Sequence, residues 1–199
     1  MPKHSEFVSI SLINEELKQV FMQSRKVYMA ALNAMFIARK INSGNASGFA
    51  SVTKELQTFS HKLTDLTQIV EADINRNISN SASSIKNMRL SRLLSEALHN
   101  ADNGLPELSR RVSLESITAK QLEINTLKEN DSKQLMNTLK ILEKHCGIGS
   151  SLSVLAKIES STVGQFTEEL STISNQIETV INHMHENLDV AISLHQKAA

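Results

Sequence analysis

Apolar residues in this chain recur at steps of three and four. Over residues 6–41 they fall at Ile10, Ile13, Leu17, Val20, Phe21, Val27, Ala31, Leu32 and Met35, which predicts an amphipathic helix with Ser5 as its N-cap. A second helix is predicted from about residue 47, where Val52, Leu56, Phe59, Leu63, Leu66 and Val70 alternate steps of four and three. That is the seam of a coiled coil or helical bundle. The run Ser79-Asn80-Ser81-Ala82-Ser83-Ser84 lacks a large apolar group and has poor helix propensity. It predicts a bend, a break or a place of close backbone approach. The helical pattern resumes from Ile85 to about residue 99.

Asp102-Asn103-Gly104-Leu105-Pro106 is the clearest break in the chain, because Asn-Gly turns and proline bars helix continuation. A third helix should start near Pro106 or Ser113 and run to about residue 145. Glu129-Asn130-Asp131-Ser132 is a polar interruption within it, and Gly147-Ile148-Gly149-Ser150 combines C-cap and N-cap chemistry. The last helix is expected over residues 151–196, on the steps Val163, Phe166, Leu170, Ile173, Ile177, Val180 and Met184. The fold class is therefore all-α: long antiparallel helical hairpins forming a coiled-coil or four-helix bundle. Two units are expected, a hairpin over residues 1–100 with its tip at 42–48, and a second hairpin over residues 105–199.

Composition narrows the function. The chain has 199 residues and a formal net charge of zero, so no broad electrostatic attraction to nucleic acid is expected. No apolar run reaches the roughly 20 residues of a membrane span. Without tryptophan and with a single tyrosine, the core must be aliphatic. One cysteine, Cys146, excludes an intrachain disulfide, and no signal peptide is visible, so a cytoplasmic location is expected.

Candidate chemistry is sparse. His183 and His185 stand two apart, a spacing that points side chains away from each other on a helix and does not favour one metal ion. His145 and Cys146 are adjacent and lack a third group in register; a helix-end thiol, able to form an intermolecular disulfide on oxidation, is the favoured reading. Gly44 and Gly48 have neither a preceding strand nor the Lys-Ser/Thr of a phosphate loop. Asp65, Glu71 and Asp73 read as ordinary surface charge, as does the pair Glu168-Glu169. No catalytic constellation is present in the pattern, and neither an enzyme nor a cofactor is expected. Lys26, Arg39 and Lys40 form a basic group able to meet an acidic partner, although a solvated helix face is the commoner role for such charges.

The stretch over residues 23–70 carries a resemblance. Ala31-Leu32-Asn33-Ala34, Ala38-Arg39-Lys40, a turn at 42–47, Gly48-Phe49-Ala50-Ser51-Val52 and Thr53-Lys54-Glu55-Leu56 resemble the cytoplasmic signalling hairpin of methyl-accepting chemotaxis proteins. In that family the hairpin tip docks a coupling adaptor and a histidine kinase and makes contacts between receptor dimers. The resemblance implies partner-facing roles for Leu32 and Asn33 and apolar contact roles for Met29 and Phe36. Lys40 stands where the family has an arginine. Departures at Arg25, Lys26-Val27-Tyr28, Ile37 and Ser43-Gly44-Asn45 describe a divergent, soluble relative with a changed docking surface. The expectation is a non-catalytic signalling scaffold whose tip docks a chemotaxis-type adaptor, a histidine kinase or another signalling protein. The alternative is a coiled-coil structural or regulatory protein that dimerises through the first hairpin and binds its target through residues 105–199. A third, weaker expectation is a small-molecule sensor with a ligand between the third and fourth helices. The seams need more apolar cover than one hairpin supplies. Two chains can pair their first hairpins, or the second hairpin can pack on the first within one chain. Helix length and the resemblance favour the homodimer.

Overall fold

A computed structural model of the chain describes residues 3–40, 46–100, 107–164 and 166–198. The described residues form four helices and no strand: α1 (Lys3–Lys40), α2 (Ala46–Asn100), α3 (Glu107–Ser161) and α4 (Thr167–Ala198). None of them is long and apolar enough to cross a membrane. Of the turns expected at 42–48 and 102–106, residues 42–45 and 102–106 lie outside the described residues, while Ala46, Ser47 and Gly48 already belong to α2.

Two compact units emerge, and they cut across the two hairpins read from the sequence. The first comprises residues 1–71 and 136–199, the second residues 72–135. In the first unit every neighbouring pair of helices runs antiparallel. Ser24 of α1 meets Ser60 of α2, and Phe59 of α2 meets His145 of α3. Ser150 of α3 meets His185 of α4, and Gln23 of α1 receives a bond from Asn187 of α4. This is an up-down-up-down four-helix bundle closed on itself within one chain. The sequence favoured completion of the first hairpin by a second copy; here α3 and α4 of the same chain supply that cover.

The core is aliphatic, as expected. Ile13, Leu17, Val20, Leu56, Leu63, Leu139, Leu142, Leu170, Ile177, Ile181, Met184 and Leu188 are buried. Towards the end of α1 the buried residues shrink to Ala31, Ala34 and Ala38, and those of α3 to Gly149, Ser153, Ala156 and Ser160. Small groups let helix axes approach, and two bulky rings use the room. Phe49 is wholly buried. Phe59 lies against Gly149, where an added Cβ would stand 2.5 Å from its Cζ. Where α1 and α2 meet, Ser60 Oγ donates to the Ser24 carbonyl at 2.7 Å and Ser24 Oγ donates to the Ser60 carbonyl at 3.1 Å. These reciprocal bonds satisfy two buried hydroxyls in an otherwise apolar layer.

Close packing corrects the third helix. Gly147 to Ser150 do not end it; α3 runs on to Ser161. Gly149 is placed for Phe59 rather than for a turn. The true stop comes later. Ser161 Oγ and Thr162 Oγ1 bond to the carbonyls of Ile158 and Glu159, and Gly164 takes a left-handed φ of 81° that favours glycine. Thr167 then opens α4, with Glu168 and Glu169 in the first turn, where the helix dipole favours negative charge. The seam of α4 is Leu170, Ser174, Ile177, Ile181, Met184, Leu188, Ala191 and His195, whereas Ile173 and Val180 are only half-buried. Val163 belongs to the turn.

The second unit pairs residues 72–100 of α2 with 107–135 of α3. Neither the serine run nor residues 129–132 interrupts a helix. The seam between them is polar. Asp73, Asn77, Ser81, Ser84 and Asp131 are buried beside Ile74, Ile124 and Leu135. Asp73 Oδ1 accepts from Gln134 Nε2 at 2.8 Å, and Arg76 Nη1 lies 3.5 Å from the same oxygen and 3.9 Å from Asp131 Oδ1. Asn77 Nδ2 donates to the backbone carbonyls of Asp73 and Asp131, and Asn80 donates to the Asp131 carboxylate. Asp73 is thus a buried member of a helix-helix network, not the surface charge its sequence neighbours suggested.

Candidate partner-docking face

The last three turns of α1 place the candidate residues. Burial of Val27, Ala31, Ala34 and Ala38 fixes the inward face of the helix. Met29, Asn33, Phe36 and Lys40, at steps of four, three and four, therefore lie together on the outward face, and all are exposed. Phe36 is 67% exposed and Met29 55%. Leu32 stands apart from this set: it is half-buried on the flank. Lys40 Nζ sits 5.3 Å from the centre of the Phe36 ring, a cation–π contact at the C-terminal end of the helix, where positive charge is favoured.

The face is cationic and apolar at once. Met22, Arg25, Lys26, Met29, Phe36, Arg39 and Lys40 are all exposed on α1. No acidic residue occurs between Glu16 and Glu55, so nothing in that stretch neutralises these cations. At the same end of the bundle, half-buried Glu159 of α3 brings its carboxylate against Gly48, in the first turn of α2. That turn has no acidic residue of its own, so Glu159 supplies the charge its dipole favours. Tyr28 is held edge-on to His61 with ring centres 5.0 Å apart, and Met35 Sδ accepts a long bond from Gln57. These contacts anchor the flank of the face and leave its centre free.

Other candidate groups are accounted for by packing. Cys146 is fully buried in the middle of α3, and burial, with Glu143 nearby, pushes its thiol up to about 12. It is not a helix-end thiol: it lies within α3, shielded from solvent, and both burial and the raised titration disfavour the thiolate that exchange requires. His145 stacks on Phe59 at 5.0 Å and its Nε2 lies 3.2 Å from the Phe59 carbonyl oxygen. His185 pairs with Ser150 at 3.1 Å, while His183 points elsewhere on α4 and is exposed. Among the described residues no three His, Cys, Asp or Glu side chains are grouped to hold a metal ion.

One feature escaped the sequence. An open groove of about 280 Å³ runs between α1 and α2, lined by Asn14, Leu17, Lys18, Phe21, Thr67, Gln68 and Glu71. Its walls alternate apolar and polar groups as any helical bundle surface does, so no signal in the pattern marked it.

These features define the class of protein: an all-α helical bundle with a cationic, apolar outer face on its first helix. The chain matches no protein-family model, and comparison with curated proteins finds no significant similarity.

Proposed function

We propose that this chain is a non-catalytic docking scaffold, a divergent, soluble, chemoreceptor-like helical protein. Its α1 face at Met29, Asn33, Phe36 and Lys40 binds a signalling partner, of which a chemotaxis-type adaptor or a histidine kinase is the expectation. The observation that carries the reading is exposure of Met29 and Phe36 at helical spacing among cations of a stretch that holds no acidic residue. Scattered surface apolar residues are ordinary, but an apolar set framed by charge of one sign favours a groove of opposite sign. Leu32 contributes at the edge.

The test is capture from source cells with the wild-type chain and a Met29→Ser/Phe36→Ser/Lys40→Glu variant. All three positions are exposed, so the bundle stays folded, with melting lowered only slightly by the reversed charge at the end of α1. Loss of a captured protein in the variant supports the reading; identical capture by both chains sinks it. Deleting residues 105–199 cannot serve as the control, since α3 and α4 complete the bundle around α1 and α2. The alternative, target binding through residues 105–199, is favoured by one observation: a second exposed aliphatic stripe, on α3.

A further inference from the structure

The groove between α1 and α2 has a base and a rim of different chemistry. Leu17 and Thr67 are buried and form the base, and half-buried Phe21 closes one side. The volume of about 280 Å³ lies just below the roughly 300–1,000 Å³ of clefts that take drug-sized ligands, so the groove suits a small molecule.

The polar groups around it lean to one sign. Asn14, Gln68 and Glu71 each bring a side-chain oxygen that accepts hydrogen bonds. Thr67 Oγ1 donates its proton to the Leu63 carbonyl at 2.8 Å, so towards a ligand it too acts as an acceptor. Glu71 is exposed and enters no ion pair among the described residues. Lys18, the cation among the lining residues, has its ammonium 3.4 Å from the Glu15 carboxylate, one turn back on its own helix. Over the two lining spans, 14–21 and 67–71, Glu15, Glu16 and Glu71 outnumber Lys18. The Phe21 ring adds a face whose quadrupole attracts cations.

We propose that this groove binds a small organic ammonium ion with an apolar body. The body lies along Leu17 and Phe21, where it leaves water. The ammonium takes Glu71 as its counter-ion and donates to the oxygens of Asn14, Thr67 and Gln68. An anion of the same shape meets carboxylates and a hydroxyl with no proton to give. Glu71 stands in water, so the ion pair adds only modestly, and Kd is on the order of 1 mM for a ligand of about ten non-hydrogen atoms. The groove lies on the first half of α1, away from the cationic docking face at residues 29–40, and does not depend on it.

Titration of the isotope-labelled full chain with 2-phenylethylamine, at neutral pH and fixed ionic strength and followed by amide NMR shifts, tests the proposal. The amine is expected to give saturable shifts centred on residues 14–21 and 67–71, half-complete at about 1 mM. 2-Phenylethanol has the same ring and no charge, and is expected to bind at least about fivefold more weakly; 3-phenylpropionate, of opposite charge, is expected not to saturate. Glu71→Gln, at an exposed position, keeps the circular dichroism of the wild type and brings the amine down to the affinity of the alcohol. Lys18→Gln binds the amine as tightly as the wild type or more so. No saturable shift at these residues with the amine overturns the proposal. So does 3-phenylpropionate binding as tightly as the amine, an amine affinity unchanged in Glu71→Gln, or loss of amine binding in Lys18→Gln.

Discussion

The two units share α2 and α3 but solve burial in opposite ways. In the first, four helices surround Leu56, Leu63, Leu139, Leu142, Ile177 and Ile181, and the buried polar groups other than His195 are hydroxyls, among them Ser24 and Ser60, which bond to backbone carbonyls. In the second, two helices meet over Asp73, Asn77, Ser81, Ser84 and Asp131, and Leu90, Leu93, Leu122 and Leu127 are exposed. Apolar burial stabilises without regard to direction, whereas a buried polar network holds only while each member keeps its partner. The first unit is therefore the stable platform, and the second opens locally at lower cost. Helices with the same periodicity thus differ in role according to what sits at their seam positions.

The largest expected effect breaks the platform. Leu63→Ala or Leu142→Ala removes a fully buried side chain and should cost about 2–5 kcal/mol, read as a fall in the global unfolding midpoint. Next comes Gly149→Ala, which drives a methyl group into Phe59 and should cost about 1–3 kcal/mol despite better helix propensity. Adding Phe59→Leu should recover part of that loss; no recovery would show that Gly149 serves another purpose. In the second unit, Arg76→Ala removes the cation shared by Asp73 and Asp131 and should cost about 1–3 kcal/mol. Hydrogen exchange should report that loss at residues 72–84 and 127–135 while residues 56–66 and 139–146 stay protected. Equal acceleration in both sets would erase the distinction between the units. A smaller effect sharpens it. Cys146, buried and with its thiol pushed up to about 12, should react with thiol reagents at neutral pH only as fast as the first unit opens. Smallest of all, Phe36→Ser should change stability by less than about 0.5 kcal/mol, since its ring is exposed.

Much of this was legible in the pattern. The helical periodicity predicts the all-α bundle, and the spacing of Leu56, Phe59, Leu63, Leu66 and Val70 identifies buried positions correctly, whereas Val52 at the start of the same run is only half-buried and Phe49 and Thr53 face inward in its place. The pattern failed where chemistry has two meanings. Gly147 to Ser150 has the residue types of a helix end, but Gly149 serves interhelical contact, and only the partner ring of Phe59 reveals it. Asp73 resembles surface charge and Asp131 part of a helix interruption because sequence does not show which carboxylates face each other across two helices. Steps of three and four ran through Val163 and Phe166 into α4, which hid the turn; Ser160-Ser161-Thr162 followed by Gly164 was the local signal for it. At the docking face, the spacing of Met29, Asn33, Phe36 and Lys40 was visible, but their outward direction follows only from Ala31, Ala34 and Ala38 facing in. Leu32 was grouped with them by resemblance and lies on the flank instead.

The claim that α1 carries the docking face is tested most directly by a footprint. Hydrogen exchange of the full chain, alone and bound to the protein it captures from source cells, should show new protection concentrated at residues 25–40, with the rest of the first unit unchanged. Protection on α3 or on the second unit, with residues 25–40 exchanging as in the free chain, would contradict the account.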